Sequence, residues 1–253
     1  MPAISSAHRQ WMLPSSTVLS NTDAWVTVDA AVSNGLFYFD HVPMRLASVR
    51  ITGPDGLERK AQNAATGKYR STFDVHLNGA GTYKIAMVQS TVFAAWEEAG
   101  QQKTWRGSAA DLAAHAPAGA QGLKTSRMNS RLETFVTAGK PSSKVFETTG
   151  VGLELAPVTH PNDLVTGEAA TFQMLLDGKP AAGLDVTIIA GGSRYRDKEG
   201  EMKVKTGADG KFSVTFKDPG MYWMNATAAQ AGGEGPAAGG RSSYTATFEV
   251  LPQ

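Results

Sequence analysis

The chain has 253 residues, with 24 Lys and Arg against 23 Asp and Glu, so its formal net charge is +1. That balance gives no electrostatic reason to take nucleic acid or an anionic membrane as the main partner, and 42% hydrophobic with 19% charged residues is globular rather than disordered. The absence of cysteine removes disulfides, zinc fingers, iron–sulfur clusters and thiol nucleophiles together, and no apolar run of about 18 residues is present to cross a membrane.

At the start, Ser5-Ser6-Ala7 reads as the small-residue end of a secretory signal, with Ser5 and Ala7 at the −3 and −1 places. The basic and apolar regions that should precede it are missing. Either a leader has been trimmed and a Met added, or the pattern is chance; the first reading is carried forward, with His8 opening a new texture. Residues 25–32 (WVTVDAAV) and 46–52 (LASVRIT) read as strands, the second closed by a turn at 53–56 (GPDG). Residues 67–77 (GKYRSTFDVHL) and 82–88 (TYKIAMV) are strands joined by the turn 78–81 (NGAG). This spacing of short strands and Gly-rich turns predicts a sandwich.

Residues 94–130 break the rhythm. Residues 94–99 (AAWEEA) and 109–115 (AADLAAH) have helical composition, and 116–122 (APAGAQG) reads as loop, so an excursion with one or two helical turns is expected. Strand character resumes at 131–137 (RLETFVT). A second unit begins near Val151. Strands are expected at 153–158, 168–176, 184–190, 202–206, 212–216, 221–226 and 244–250, with a flexible loop at 231–240 (AGGEGPAAGG). Gly79-Ala-Gly-Thr-Tyr83 and Pro219-Gly-Met-Tyr222 each precede a late strand, a Gly-then-Tyr entry that recurs in immunoglobulin-like sandwiches. The expected fold is mostly β: two tandem immunoglobulin-like or transthyretin-like β-sandwich domains, 8–150 and 151–253, with the excursion 94–130 in the first.

The second half, through 177–186 (DGKPAAGLDV), 206–212 (TGADGKF) and 219–222 (PGMY), resembles transthyretin-like or carboxypeptidase-regulatory-like domains. That likeness speaks to fold and little to function. Through 7–14 (AHRQWMLP), 39–43 (FDHVP) and 152–163 (GLELAPVTHPND), the chain from His8 to about Val250 resembles a bacterial periplasmic family of unassigned function. Its members are often labelled periplasmic components of nickel or cobalt uptake systems. The resemblance implies a periplasmic location and a signal peptide ending just before His8. Relatives tend to read His-Pro, or two consecutive His, where this chain has His41-Val42-Pro43, so one ligand is lost or shifted by a residue.

If the chain is cut after Ala7, His8 carries a free α-amine, of pKa about 7.7–8.0, beside its imidazole. Amine and Nδ1 then form a chelate suited to Ni(II), Co(II), Cu(II) or Zn(II). His41 and His76 are the candidates for further imidazoles, Asp40 for an oxygen ligand, and Asp74 for an acceptor that fixes a ring tautomer. Asp74 and His76, two apart on an expected strand, share a face. Against this, each of the three His side chains can be read as a solvated terminus, loop or strand residue. His115 reads as surface and His160 as junction structure.

No nucleophile elbow, zincin motif or phosphate-cradling loop occurs. Glu97-Glu98 and Glu199-Gly-Glu201 read as solvated carboxylates, so no enzyme is expected. The function expected is non-enzymatic transition-metal binding that assists uptake of nickel or cobalt, with copper or iron also admitted. The partner is then an inner-membrane permease or an outer-membrane receptor. The rival is an envelope protein- or carbohydrate-binding module with no metal role, using Trp96 and Trp105 of the excursion as its contact surface.

Overall fold

The computed structural model describes residues 8–116, 120–230 and 237–253. The leader-like residues 1–7 and residues 231–236 of the expected flexible loop lie outside them. In chain order the first part contains β1 (Arg9–Pro14), β2 (Val18–Leu19), β3 (Ala24–Ser33), β4 (Val42–Pro43), β5 (Val49–Thr52), β6 (Glu58–Arg59), β7 (Gln62–Thr66), β8 (Ser71–Leu77), β9 (Gly81–Glu98), β10 (Gln101–Gly107), the short helix α1 (Leu112–His115) and β11 (Gln121–Ala138). The second part contains β12 (Leu153–Pro157), β13 (Ala169–Leu176), β14 (Lys179–Pro180), β15 (Asp185–Ala190), β16 (Met202–Lys205), β17 (Lys211–Thr215), β18 (Gly220–Gln230) and β19 (Ala237–Val250).

The molecule is mostly β, as the strand spacing predicts. Among the described residues the strands form three open sheets, of ten, five and four strands. The large sheet runs β16-β15-β18-β19-β11-β9-β5-β6, with β10 on β9 and β2 on β11. It belongs to both parts of the chain. The last strands of the two parts, β11 and β19, pair in parallel from Arg127↔Gly240 to Thr134↔Thr247. Read outward from that seam, the order is the same on both sides: β11-β9-β5 one way, β19-β18-β15 the other.

The smaller sheets cover opposite faces of the shared one. Successive side chains on a strand point to opposite faces. On β11, Leu132 and Val136 enter the core with Val28, Phe73, Tyr83 and Ile85, while Phe135 between them enters the core with Phe172, Met224 and Phe248. β11 is therefore buried on both sides, and its charged residues are paired inside. The Arg131 guanidinium reaches Glu133 at 3.3 Å and Glu154 at 3.1 Å. The Tyr244 hydroxyl donates to Glu133 at 2.8 Å.

Both units carry the expected Gly-then-Tyr entry as a tyrosine corner. The Tyr83 hydroxyl donates to the Gly79 carbonyl at 3.0 Å and the Tyr222 hydroxyl to the Asp218 carbonyl at 2.8 Å. Each follows a glycine, Gly81 (φ +135°) or Gly220 (φ +138°), in backbone space that other residues avoid.

In the excursion, the expected helical turn forms at α1, but 94–98 is strand. The 18-residue β9 continues through them with β10 hydrogen-bonded on one edge and β11 on the other. Two ladders outweigh the helix preference of Ala and Glu, which amounts to less than about 1 kcal/mol per residue. The outcome is a three-stranded arm with its own small core of Ala94, Trp96, Trp105, Leu112, Ala116 and Leu123.

Candidate metal centre

Two histidines distant in sequence meet at one end of the five-stranded sheet. β1 and β4 border opposite edges of the last residues of β3, where Arg9 pairs with Ser33 and Val42 with Val32. His8 and His41 immediately precede β1 and β4, so both flank the end of β3. Their rings stack with centroids 3.8 Å apart and planes 1° from parallel.

The footing of His8 is firm. Trp11 is buried with Ala31, Leu36, Ile189 and Trp223 where the small sheet meets the shared one. Its indole N–H donates to Ser33 Oγ at 2.7 Å, and the Trp223 indole N–H donates to the Gln10 carbonyl at 3.0 Å. Arg9 forms a two-pronged ion pair with Glu199, at 2.7 and 2.8 Å. These hydrogen bonds hold the Glu199 carboxyl below its usual range.

His41 is set by its loop. The Asp40 carboxylate accepts the backbone N–H groups of Asn34 at 2.8 Å and Gly35 at 3.0 Å, which folds the chain back before β4. Phe39 seats the loop against Trp11, ring centroids 5.6 Å apart. Both Asp40 oxygens are thus engaged in shaping the turn that presents His41, which differs from the oxygen ligand the sequence suggested.

His76 lies elsewhere. It pairs with Trp25 near the opposite end of β3, and its ring stacks on that indole at 4.4 Å. From Trp25 to Ser33 is 33 − 25 = 8 residues; at about 3.3 Å each, the two ends are roughly 26 Å apart. One ion does not bridge that span, so two of the three expected imidazoles come together and the third does not. Asp74 does share the face of His76, but it accepts from the Thr27 hydroxyl at 2.6 Å and Asn63 Nδ2 at 2.8 Å, and these bonds lower its pKa. The carboxylate on the His76 ring is Asp23, 2.6 Å from Nε2. Among the described residues no three His, Asp or Glu side chains gather as a ready cage for an ion.

His115 is exposed, and its Nδ1 is 2.9 Å from the Asp111 carbonyl. His160 sits half-buried at the junction of the two units. No sequence signal marked Asp23 or Glu199 as partners; the Arg9–Glu199 pair joins residues 190 apart.

Beside His8 a cleft of about 490 Å³ opens at the step between β1 and the shared sheet. Its floor is the uncovered continuation of the face that carries the first core. Gln89, Ser130 and Ser243 form one row across three strands, and Thr245, Asn225 and Thr187 the next. Arg106 of β10 stands at its edge, its guanidinium 5.3 Å from the centre of the Phe93 ring.

These features define a two-unit β-sandwich protein with a paired-histidine corner and a polar cleft. The chain belongs to the family described as a domain of unknown function (DUF4198), which matches residues 5–230. No curated protein matches it. Among solved structures it is similar to the D0-D1 domain of intimin, at 12% identity over 95% of this chain and 97% of that one, with a TM-score of 0.23. It is also similar to a DUF4785 family protein from Legionella pneumophila subsp. pneumophila str. Philadelphia 1, at 7% identity over 85% of this chain and 50% of that one, TM-score 0.25. The Bacillus anthracis TIE protein is similar at 13% identity over 98% of this chain and 40% of that one, TM-score 0.17. TM-scores this low carry no argument about this chain. No helix among the described residues is long and apolar enough to cross a membrane.

Proposed function

We propose that this protein is a non-enzymatic carrier that captures a nitrogen-preferring transition-metal ion at His8 and His41. In this reading it works in the periplasm and hands the ion to an uptake component in the inner or outer membrane. The contact of the His8 and His41 rings carries the reading. The resemblance to proteins labelled for nickel and cobalt uptake favours those ions; the donors suit Cu(II) and Zn(II) as well.

The stacked rings are a resting geometry. Two parallel stacked imidazoles keep their in-plane lone pairs in separate parallel planes, which do not converge on one ion. Binding therefore turns the exposed His8 ring out of the stack. That costs about 1 kcal/mol, small beside the roughly 8 kcal/mol of a micromolar complex. Cleavage after Ala7 would add the α-amine as a third nitrogen. An exposed site with so few protein donors exchanges ligands readily, as a carrier requires.

Calorimetric titration with Ni(II) tests the reading on the chain beginning at His8 and on the chain retaining residues 1–7. The processed form should bind at least ten times more tightly. His41→Ala should weaken it by at least roughly 100-fold, since losing a ligand costs more than losing an outer partner, and His76→Ala should leave it unchanged. Equal affinity of the two forms rules out the amine; indifference to His41→Ala rules out the pair.

A partner-binding reading keeps one observation. The outer face of the arm exposes Phe93 and Met128, while Trp96 and Trp105 turn into the arm's own core.

A further inference from the structure

The geometry points to a metal delivered as a complex with a small carboxylate chelator, the chelator seated in the cleft beside His8. This rests on the proposed metal site and names the form in which its cargo arrives.

The α-amine, His8 Nδ1 and one His41 nitrogen supply three nitrogens. Ni(II) and Cu(II) favour tetragonal sets of nitrogen and oxygen donors, so at least one position stays open. Asp40, the nearest carboxylate in sequence, is engaged by the backbone of its own loop. Among the described residues no third His, Asp or Glu gathers with the pair, so the remaining position falls to water or to an outside ligand.

The surroundings say which. An aqua ion needs no shaped space next to its ligands, yet a cleft of about 490 Å³ adjoins His8. Of the two arginines lining it, Arg9 is neutralised by Glu199. Arg106 has no carboxylate partner among the described residues and rests on Phe93. The one carboxylate of the lining, Glu201, is paired with Lys203 at 3.1 Å. An exposed guanidinium is a two-pronged carboxylate receptor. Between it and His8 the lining offers the Ser130 and Ser243 hydroxyls, which can donate to a carboxylate or hydroxyl, beside Gln89 and Asn225, whose amide N–H groups also serve Ser48, and Tyr244 and Thr245, and the apolar Met128 and Trp223. A chelator with two or more carboxylates can bind the ion with one arm and Arg106 with another.

The counterpart step in the second unit also opens a cleft, of about 750 Å³ and lined by Arg127, Asn129 and Gln230, so a polar cleft by itself is common to both steps. There β12 takes the place of β1, and the chain enters it through Val151 and Gly152, with no nitrogen donor. What sets the first step apart is the pair of imidazoles beside its cleft.

Equilibrium dialysis of the processed protein with radiolabelled citrate, with and without an equimolar amount of Ni(II), tests this. Citrate should be retained one-to-one with nickel, at least ten times more than without the metal. Arg106→Glu should abolish citrate retention and leave binding of Ni(II) alone unchanged; Arg106 is exposed and makes no core contact, and circular dichroism confirms that the variant folds. Nickel retained while citrate is not, or citrate retained equally by Arg106→Glu, overturns the chelate and leaves the metal site standing. Failure to retain Ni(II) alone overturns the metal site and the chelate with it.

Discussion

His160 holds the junction between the units in its neutral form. Its Nδ1 accepts the Asn162 N–H at 3.1 Å, which leaves the proton on Nε2, 3.0 Å from Thr82 Oγ1. Asn162 in turn binds the Phe135 carbonyl at 2.9 Å and accepts from the Thr137 hydroxyl at 2.9 Å. Burial pushes the His160 pKa below its ordinary 6.5. The folded chain then holds fewer protons than the unfolded one, so this stability is complete above about 6.5 and drains as pH falls through the lower folded value. Denaturant midpoints measured from pH 8 to 5 should fall on the acid side, and His160→Gln should flatten that fall while lowering the plateau by about 1 kcal/mol. An unchanged acid slope in the variant would remove His160 from the account. Single residues were unevenly legible. His160 could be read as junction structure from its Thr-His-Pro-Asn setting. The His8–His41 meeting rested on resemblance, because nothing local relates two residues that flank the end of a third strand. Asp40 was read as an oxygen ligand; its bonding to Asn34 and Gly35 depends on a loop conformation that composition does not encode.

At the scale of elements, alternation found the strands wherever one face meets a core. It misread 94–99 because arm strands carry little apolar pattern and their pairing partners lie up to about 30 residues away. The turn at the tip explains why the hairpin forms: Ala99 (φ +50°) and Gly100 (φ +76°) are both left-handed, the two-residue geometry that matches strand twist. Gly100 takes this freely, whereas Ala99 bears a penalty of about 1 kcal/mol. Ala99→Asn should therefore stabilise the arm by up to about 1 kcal/mol and slow hydrogen exchange across β10. Faster exchange would mean the turn does not set the arm's stability. Trp96 is the opposite case: it is singled out in sequence as a contact residue, and its side chain fills the arm's core beside Leu112 and Ala116.

For the whole molecule, two sandwiches were legible, down to the paired tyrosine corners, but the sheet they share was not. Its seam is a parallel ladder between β11 and β19, more than 100 residues apart, and parallel pairing leaves no turn signature between its strands. The double burial of β11 is hinted at only by its near-continuous run of core positions, which Arg131 and Glu133 disguise. Because Leu132 and Val136 serve one core and Phe135 the other, the units should not unfold separately. Calorimetry should show one transition with matching calorimetric and van't Hoff enthalpies, and Phe135→Ala should lower that single transition by roughly 3–5 kcal/mol. Two resolved transitions would mean that the seam is too weak to couple the units.

The site depends on all three scales: a loop shaped by Asp40, a strand held by Trp11 and Arg9, and a shared sheet that supplies the step beside them. Anomalous diffraction from crystals of the processed protein soaked in nickel tests this most directly. The account predicts one strong peak about 2 Å from ring nitrogens of both His8 and His41, with the stack opened. A peak at His76 and Asp23 instead, or no ordered ion at saturating nickel, would contradict it.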